Sequence, residues 1–161
     1  MNEPYKRPNF SAIAESLEKL STAIDELSRA GVIRSRKFVS DFAEWLIAKM
    51  YGGSIAPSKT QKHWDVIVGT EKIQIKAHSK AMYNPNRWSQ VKSIDKFDTL
   101  IILVLTENFK LQEFYRIPSE QLKPYLKPYD SDYKVNWDDI KDWKISKKDI
   151  PEFSSFSIFF V

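Results

Sequence analysis

The sequence predicts an α/β (α+β) fold: two helices, then a central mixed β-sheet of four or more strands flanked by helices. Three observations predict it. Apolar residues recur at helical spacing as far as Tyr51. β-Branched residues and two-residue alternation take over from Val66. A nearly unbroken apolar run, "DTLIILVLT" at 98–106, then has the pattern of a central strand covered on both faces.

The elements follow in order. "SAIAESLEKLSTAIDELSRAGVI" reads as an amphipathic helix with Ser11 as its N-cap and Gly31 as its stop. Ile13, Leu17, Leu20, Ile24 and Leu27 form one stripe, expected to pack within its own domain rather than to make a dimer seam. A second helix runs from about Arg36 to Tyr51 and closes at Gly52–Gly53. Phe38, Phe42, Trp45, Leu46 and Met50 are expected on one side of it, and Asp41 and Glu44 together on the other. Those two acids are either solvated or aimed at a site.

After the loop "SIAPSKTQKH", the stretch "HWDVIVGTEKIQIKAHSK" (63–80) reads as a hairpin turning at "GTE". Lys72, Gln74 and Lys76 share one side of its second strand, and Ile73, Ile75 and Ala77 the other. A long polar and aromatic connection follows, with a turn at Asn84–Pro85–Asn86. The apolar strand comes next, pairing across "ENFK" with "LQEFYRIP". "SEQLKPYL" begins a short helix capped by Ser119. Residues 128–161 look irregular, with "WDDIKDW" as a helical turn and "SIFFV" as an edge strand. The chain reads as one domain, 1–161.

Composition narrows the function classes. With no cysteine, thiol catalysis, disulfides and cysteine-bound zinc are excluded. His63 and His78 are the only histidines, too few for a histidine-built metal cage. The first ten residues hold no apolar run of signal-peptide length, and "LIILVL" is too short to span a membrane, so a cytoplasmic protein with no membrane partner is expected. Net charge is +4. Within 71–96, Lys72, Lys76, Lys80, Arg87, Lys92 and Lys96 face only Glu71 and Asp95. Such a patch suits a polyanion, or is simply a solvated surface.

An acid on a helix, Asp65 entering one strand and Gln-x-Lys on the next make a set with chemical meaning. Mg2+ takes oxygen ligands. Asp65 offers a carboxylate, Gln74 a side-chain carbonyl, Ile75 its main-chain carbonyl and Glu44 a direct or water-mediated contact. Lys76, two residues from Gln74, points to the same side, where an ammonium can orient an attacking water and offset charge developing on a phosphate. Beyond it, Lys72, His78, Lys80, Arg87, Lys92 and Gln90 can position phosphates, with Tyr83 and Trp88 available to stack on bases or to pack on the sheet.

"FAEWLIAKMYGGSIAPSKTQKHWDVIVGTEKIQIKA" resembles the core of the PD-(D/E)xK nuclease superfamily, the restriction-endonuclease-like fold, in a Gln-x-Lys variant. "FDTLIILVLTENFKLQEFYRIP" resembles the later strands of that core, so the likeness covers about 38–118, leaving an N-terminal helix (1–35) and a C-terminal extension (119–161). The resemblance implies that Glu44, Asp65, Gln74 and Lys76 are the catalytic positions, with Asp41 as an alternative helical acid. It implies a Mg2+- or Mn2+-dependent DNA endonuclease of restriction or mobile-element type, acting as a homodimer where both strands are cut. Trp64 replaces the motif's proline, and Gln74 replaces its acid, removing one negative charge from the site. Gln74 also motivates the alternative of an inactive nucleic-acid-binding module of the same fold. A third reading is an interaction domain of an immunity or toxin system that uses the aromatic tail.

Overall fold

The structure, a computed structural model, describes residues 9–35, 37–57, 63–79 and 87–161. The chain divides into two compact units that part between Phe38 and Val39. The fold is α+β, with a mixed five-stranded sheet flanked by helices, as the sequence predicts.

The first unit is built on helix α1, Phe10–Arg29. Its cap is Asn9, whose Oδ1 accepts from Ala12 N–H at 3.1 Å. Ser11 lies inside the helix, a correction to the expected cap; Asn9, two residues earlier, caps the helix instead. Of the stripe expected in a core, Ile13, Leu20 and Leu27 are at the surface, 48%, 51% and 39% exposed, and Ile24 is half-buried. A stripe of strict four-and-three spacing is narrower than the apolar face a core helix presents.

The second unit starts with α2, Phe38–Tyr51. Its buried positions are Val39, Asp41, Ala43, Leu46, Ile47, Ala48 and Met50. The aromatics expected to lead that face are half-buried instead: Phe42 and Trp45 stand at its edge, each ring 5.8 Å from Phe159. Aliphatic and small residues take the interior because they let the helix approach closely. Just past the helix, Gly53 passes close to the next segment: a Cβ there would lie 2.6 Å from Ile67 O and 2.7 Å from a Val68 methyl.

The sheet runs in the order β1 (Ser54–Ile55), β2 (Val66–Val68), β3 (Glu71–Ser79), β5 (Thr99–Leu105), β6 (Leu111–Pro118). β2 and β3 form the expected hairpin, and Gly69, at φ 60, supplies the left-handed turn residue. β3 pairs parallel with β5, and β5 antiparallel with β6. Every residue of β5 is buried, as its apolar run predicts. Ser119 opens the short helix α3 (Ser119–Leu122) as its first residue, and Pro118 holds the cap position. "SIFFV" is mostly a 3-10 turn with a single bridge, Phe160 to Leu111, in place of an edge strand.

A second, three-stranded sheet was not legible in the sequence: β4 (Trp88–Val91), β8 (Asp132–Asn136) and β7 (Lys127–Tyr129), in that order. Its inner side chains, Val91, Val135 and the following Trp137, join Leu100, Ile102, Val104, Tyr115 and Ile117 in one buried cluster. The small sheet therefore covers one face of the large one. Register places Gln74, Lys76 and His78 beside Leu100, Ile102 and Val104, on that same face.

Candidate active site

Asp65 enters β2 with its main chain pinned on both sides. Its N–H donates to Ile73 O and its carbonyl accepts from Ala56 N–H, each at 2.8 Å. One step beyond the Val66–Ile73 pair, it stands opposite Gln74. Gln74 Nε2 donates to Asp65 Oδ2 at 2.8 Å, and Ile75 N–H donates to the same oxygen at 2.8 Å. Ile75 shares the edge direction of Ile73, so its carbonyl is turned toward the side from which Asp65 reaches in.

Lys76 follows on the same face as Gln74. Burial lowers the pKa of its ammonium; the Asp65 carboxylate opposes that, Lys92 adds to it and Asp132 opposes it. The net direction is down from the ordinary lysine value. Asp65, Gln74, the Ile75 main chain and Lys76 thus form one group on two adjacent strands, as the spacing predicts.

The helical acids are carried by a different element. Asp41 is 2% exposed and Glu44 half-buried, both in the first half of α2. Asp41 thus belongs to the buried side of the helix, where its position seven residues before Ala48 places it. Among the described residues, no three His, Cys, Asp or Glu side chains stand together in a way that could hold a metal ion. The expected donor set has only two carboxylates, an amide oxygen and a main-chain oxygen. Its chemistry, all hard oxygen, is of the kind Mg2+ takes.

The surrounding basic residues fall into three groups. Lys72 is exposed at the turn end of β3. Lys92 is exposed at the end of β4, with Nζ 3.7 Å from Asp132, and Gln90 Nε2 donates to that carboxylate at 3.1 Å. Arg87 is held within the fold: it meets both oxygens of Glu113 at 3.0 and 3.1 Å, reaches Asp138 at 3.2 Å and lies over the Trp137 ring. Lys80 and Tyr83 lie outside the described residues. Trp88 packs 4.7 Å from Tyr129 on the outer side of the small sheet.

His78 sits between the layers. Its Nε2 is 2.7 Å from Ser89 Oγ, which also accepts from Trp137 Nε1–H at 2.9 Å. Burial, and then the Lys76 ammonium, push its pKa down to about 4. It is neutral at neutral pH and brings no charge to a phosphate.

Sequence reasoning missed Asp132 and Glu113. Asp132 holds Gln90 and acts on Lys76; Glu113 gathers Arg87 and Lys144. Both lie far along the chain from the residues they serve, and no local spacing links them. The chain matches no protein-family model and no curated protein. No helix among the described residues is long and apolar enough to cross a membrane.

Proposed function

We propose that this protein is a metal-dependent nuclease of the PD-(D/E)xK kind that hydrolyses DNA phosphodiester bonds. The observation that carries the reading is the Asp65–Gln74 cross-strand contact with Lys76 next on the same face. Asp65, Gln74 and the Ile75 carbonyl would hold Mg2+ or Mn2+, with Glu44 or Asp41 completing the set. A bound divalent ion supplies charge neutralisation at the phosphate and a more acidic water. Lys76 orients the attacking water and neutralises the phosphoryl oxygens as charge builds on them. The water oxygen bonds to phosphorus, one P–O ester bond breaks, and the departing sugar oxygen takes up a proton. Lys72 and Lys92 draw the strand in by charge. Cutting both strands of a duplex would take two copies of the chain, hence a homodimer in a cytoplasmic restriction or mobile-element setting.

One observation favours the second reading, a nucleic-acid-binding module without catalysis. The Gln74 amide satisfies Asp65 directly, doing with an N–H what a cation would do. Incubating plasmid and single-stranded DNA with purified protein and Mg2+, then Mn2+, beside Lys76→Ala separates the two. Metal-dependent cutting lost in the variant supports the nuclease; salt-sensitive binding without cutting leaves the module.

A further inference from the structure

The small sheet has a second side. Ser89, Val91, Val135 and Trp137 turn inward and are buried. Alternation sends Trp88, Gln90, Lys134 and Asn136 outward, and each is half-buried. Tyr129 joins them from β7, its ring 4.7 Å from Trp88. Lys134 Nζ lies 5.4 Å from the centre of the Trp88 ring and 5.7 Å from that of Tyr129. Lys127, exposed, is the cross-strand neighbour of Lys134 and stands 3.3 Å from Asp139. At the other end, Lys92 and Gln90 converge on Asp132, close enough to Lys76 for both charges to act on it. Lys92 and Asp132 thus link the edge of the outer face to Lys76 by charge.

We infer that this outer face is a platform for a nucleic-acid strand with unpaired bases, which stack on Trp88 and Tyr129 while Lys92 and Lys134 meet the phosphates. The inference rests on the reading of Asp65, Gln74 and Lys76 as a phosphodiester site and adds the form of its substrate. Two features of the face carry it. Its two aromatic rings stand among three lysines, of which Lys92 is paired with Asp132, Lys127 with Asp139, and Lys134 lies over the rings. An apolar protein partner would be met by aliphatic side chains, which this face lacks among its outward positions. Aromatic side chains reach bases only where the π-faces are open, as in a single strand, a loop or a frayed end; a closed duplex offers none. Lys134 Nζ rests over the two rings, so a base that stacks there displaces the ammonium toward the neighbouring phosphate.

The test uses the full chain carrying Lys76→Ala, without divalent metal, so that binding is read apart from cutting. A 5′-labelled oligothymidylate of about 12 nucleotides, a usual footprint for such surfaces, is titrated by fluorescence anisotropy, beside a duplex of the same length. The expected result is tighter binding of the single strand. Trp88→Ala and Tyr129→Ala should each weaken it about tenfold or more, in line with one lost base–aromatic stack, and Trp88→Phe or Tyr129→Phe should restore most of it. Lys134→Gln should reduce the salt dependence by about one ion's worth. Equal or tighter duplex binding, indifference of the single strand to both aromatic substitutions, or no binding of either DNA would overturn the platform. Cutting by the unaltered chain is a separate readout: its loss in Asp65→Ala with the platform inactive keeps the nuclease and removes only this inference.

Discussion

The Asp65 carboxylate and the Gln74 amide face each other across the β2–β3 hairpin, Nε2 to Oδ2 at 2.8 Å. This pair is neutral on one side, and its hydrogen bond is satisfied without a cation. Gln74→Glu should reverse that. Two carboxylates at hydrogen-bond distance destabilise each other unless a proton or a cation lies between them. Without metal the variant should lose on the order of 1–3 kcal/mol, and Mg2+ or Mn2+ should return most of it. Thermal melts with and without divalent metal measure this; a variant as stable as the parent in chelator would show that the pair does not meet in solution.

Asp65→Asn and Asp65→Ala separate chemistry from architecture. Oδ2 accepts from both Gln74 and the Ile75 N–H. Alanine removes the acceptor and should cost about 1–3 kcal/mol, the usual penalty for partners left partly buried without one. Asparagine keeps an oxygen and should cost less. Under the nuclease reading both variants lose cutting. Chemical denaturation beside a plasmid assay tells the two effects apart.

His78 gives the stability a pH dependence with a definite sign. Its folded pKa, about 4, is below the ordinary value of 6.5. The unfolded chain therefore takes up the proton first as pH falls. The contribution is fully present above 6.5 and declines from there to about 4. Between pH 7.5 and pH 5 the chain should lose about 1–2 kcal/mol, allowing for solvent screening of a side chain that is not fully buried. His78→Gln should flatten that interval in denaturation curves, and an unchanged slope would rule out this histidine as its source.

Glu113 ties Arg87, Lys144 and the Tyr115 hydroxyl together at the outer end of β6. The Arg87 hydrogen bonds lower its pKa, burial opposes them, and Lys144 adds to the lowering. A carboxylate held down in this way stabilises the fold above its ordinary pKa and loses that as pH falls further. Glu113→Ala should cost about 1–3 kcal/mol at pH 7 and less at pH 3. Arg87→Lys should cost part of that, because an ammonium cannot make the two-pronged contact. Urea denaturation at both pH values checks the pair.

Gly53→Ala tests the packing of α2 on the hairpin. The added Cβ meets main chain at 2.6 Å as well as a valine methyl at 2.7 Å. Main chain cannot rotate away, so the helix end or β2 must shift, at about 1–3 kcal/mol. Because β2 leads directly out of Asp65, under the nuclease reading cutting should fall as well, even though residue 53 touches no proposed ligand.

Sequence patterning was informative where periodicity is long or where the chain is apolar throughout. The existence of α1 and α2, though not the faces they bury, and the β5 run with its pairing to β6 appear as expected. The hairpin was legible as a turn at "GTE"; its register, which sets Asp65 opposite Gln74, came from the structure, where Gly69 and Thr70 make a two-residue turn. The small sheet was not. "WSQV", "KPY" and "DYKVN" are too short for alternation to register, one contains a proline, and their inward apolar positions are only Val91 and Val135. Their cohesion comes from Trp137 and the large sheet, which no local window contains. The burial of Asp41 was missed for a similar reason: a charged residue reads as solvent-facing until the packing around α2 is known.

β3 is nine residues long and β2 three, so the upper part of β3 runs on past its partner. At that step a carboxylate, rather than another main chain, receives the Ile75 N–H. One donor of an edge that would otherwise offer itself to a passing strand is thus taken by a side chain. Under the nuclease reading, the same aspartate serves the chemistry and occupies a donor on that edge. A lineage that discarded the chemistry by changing Asp65 would then also free the Ile75 N–H, so loss of activity would be expected to reach the protein through Gln74 or Lys76 first.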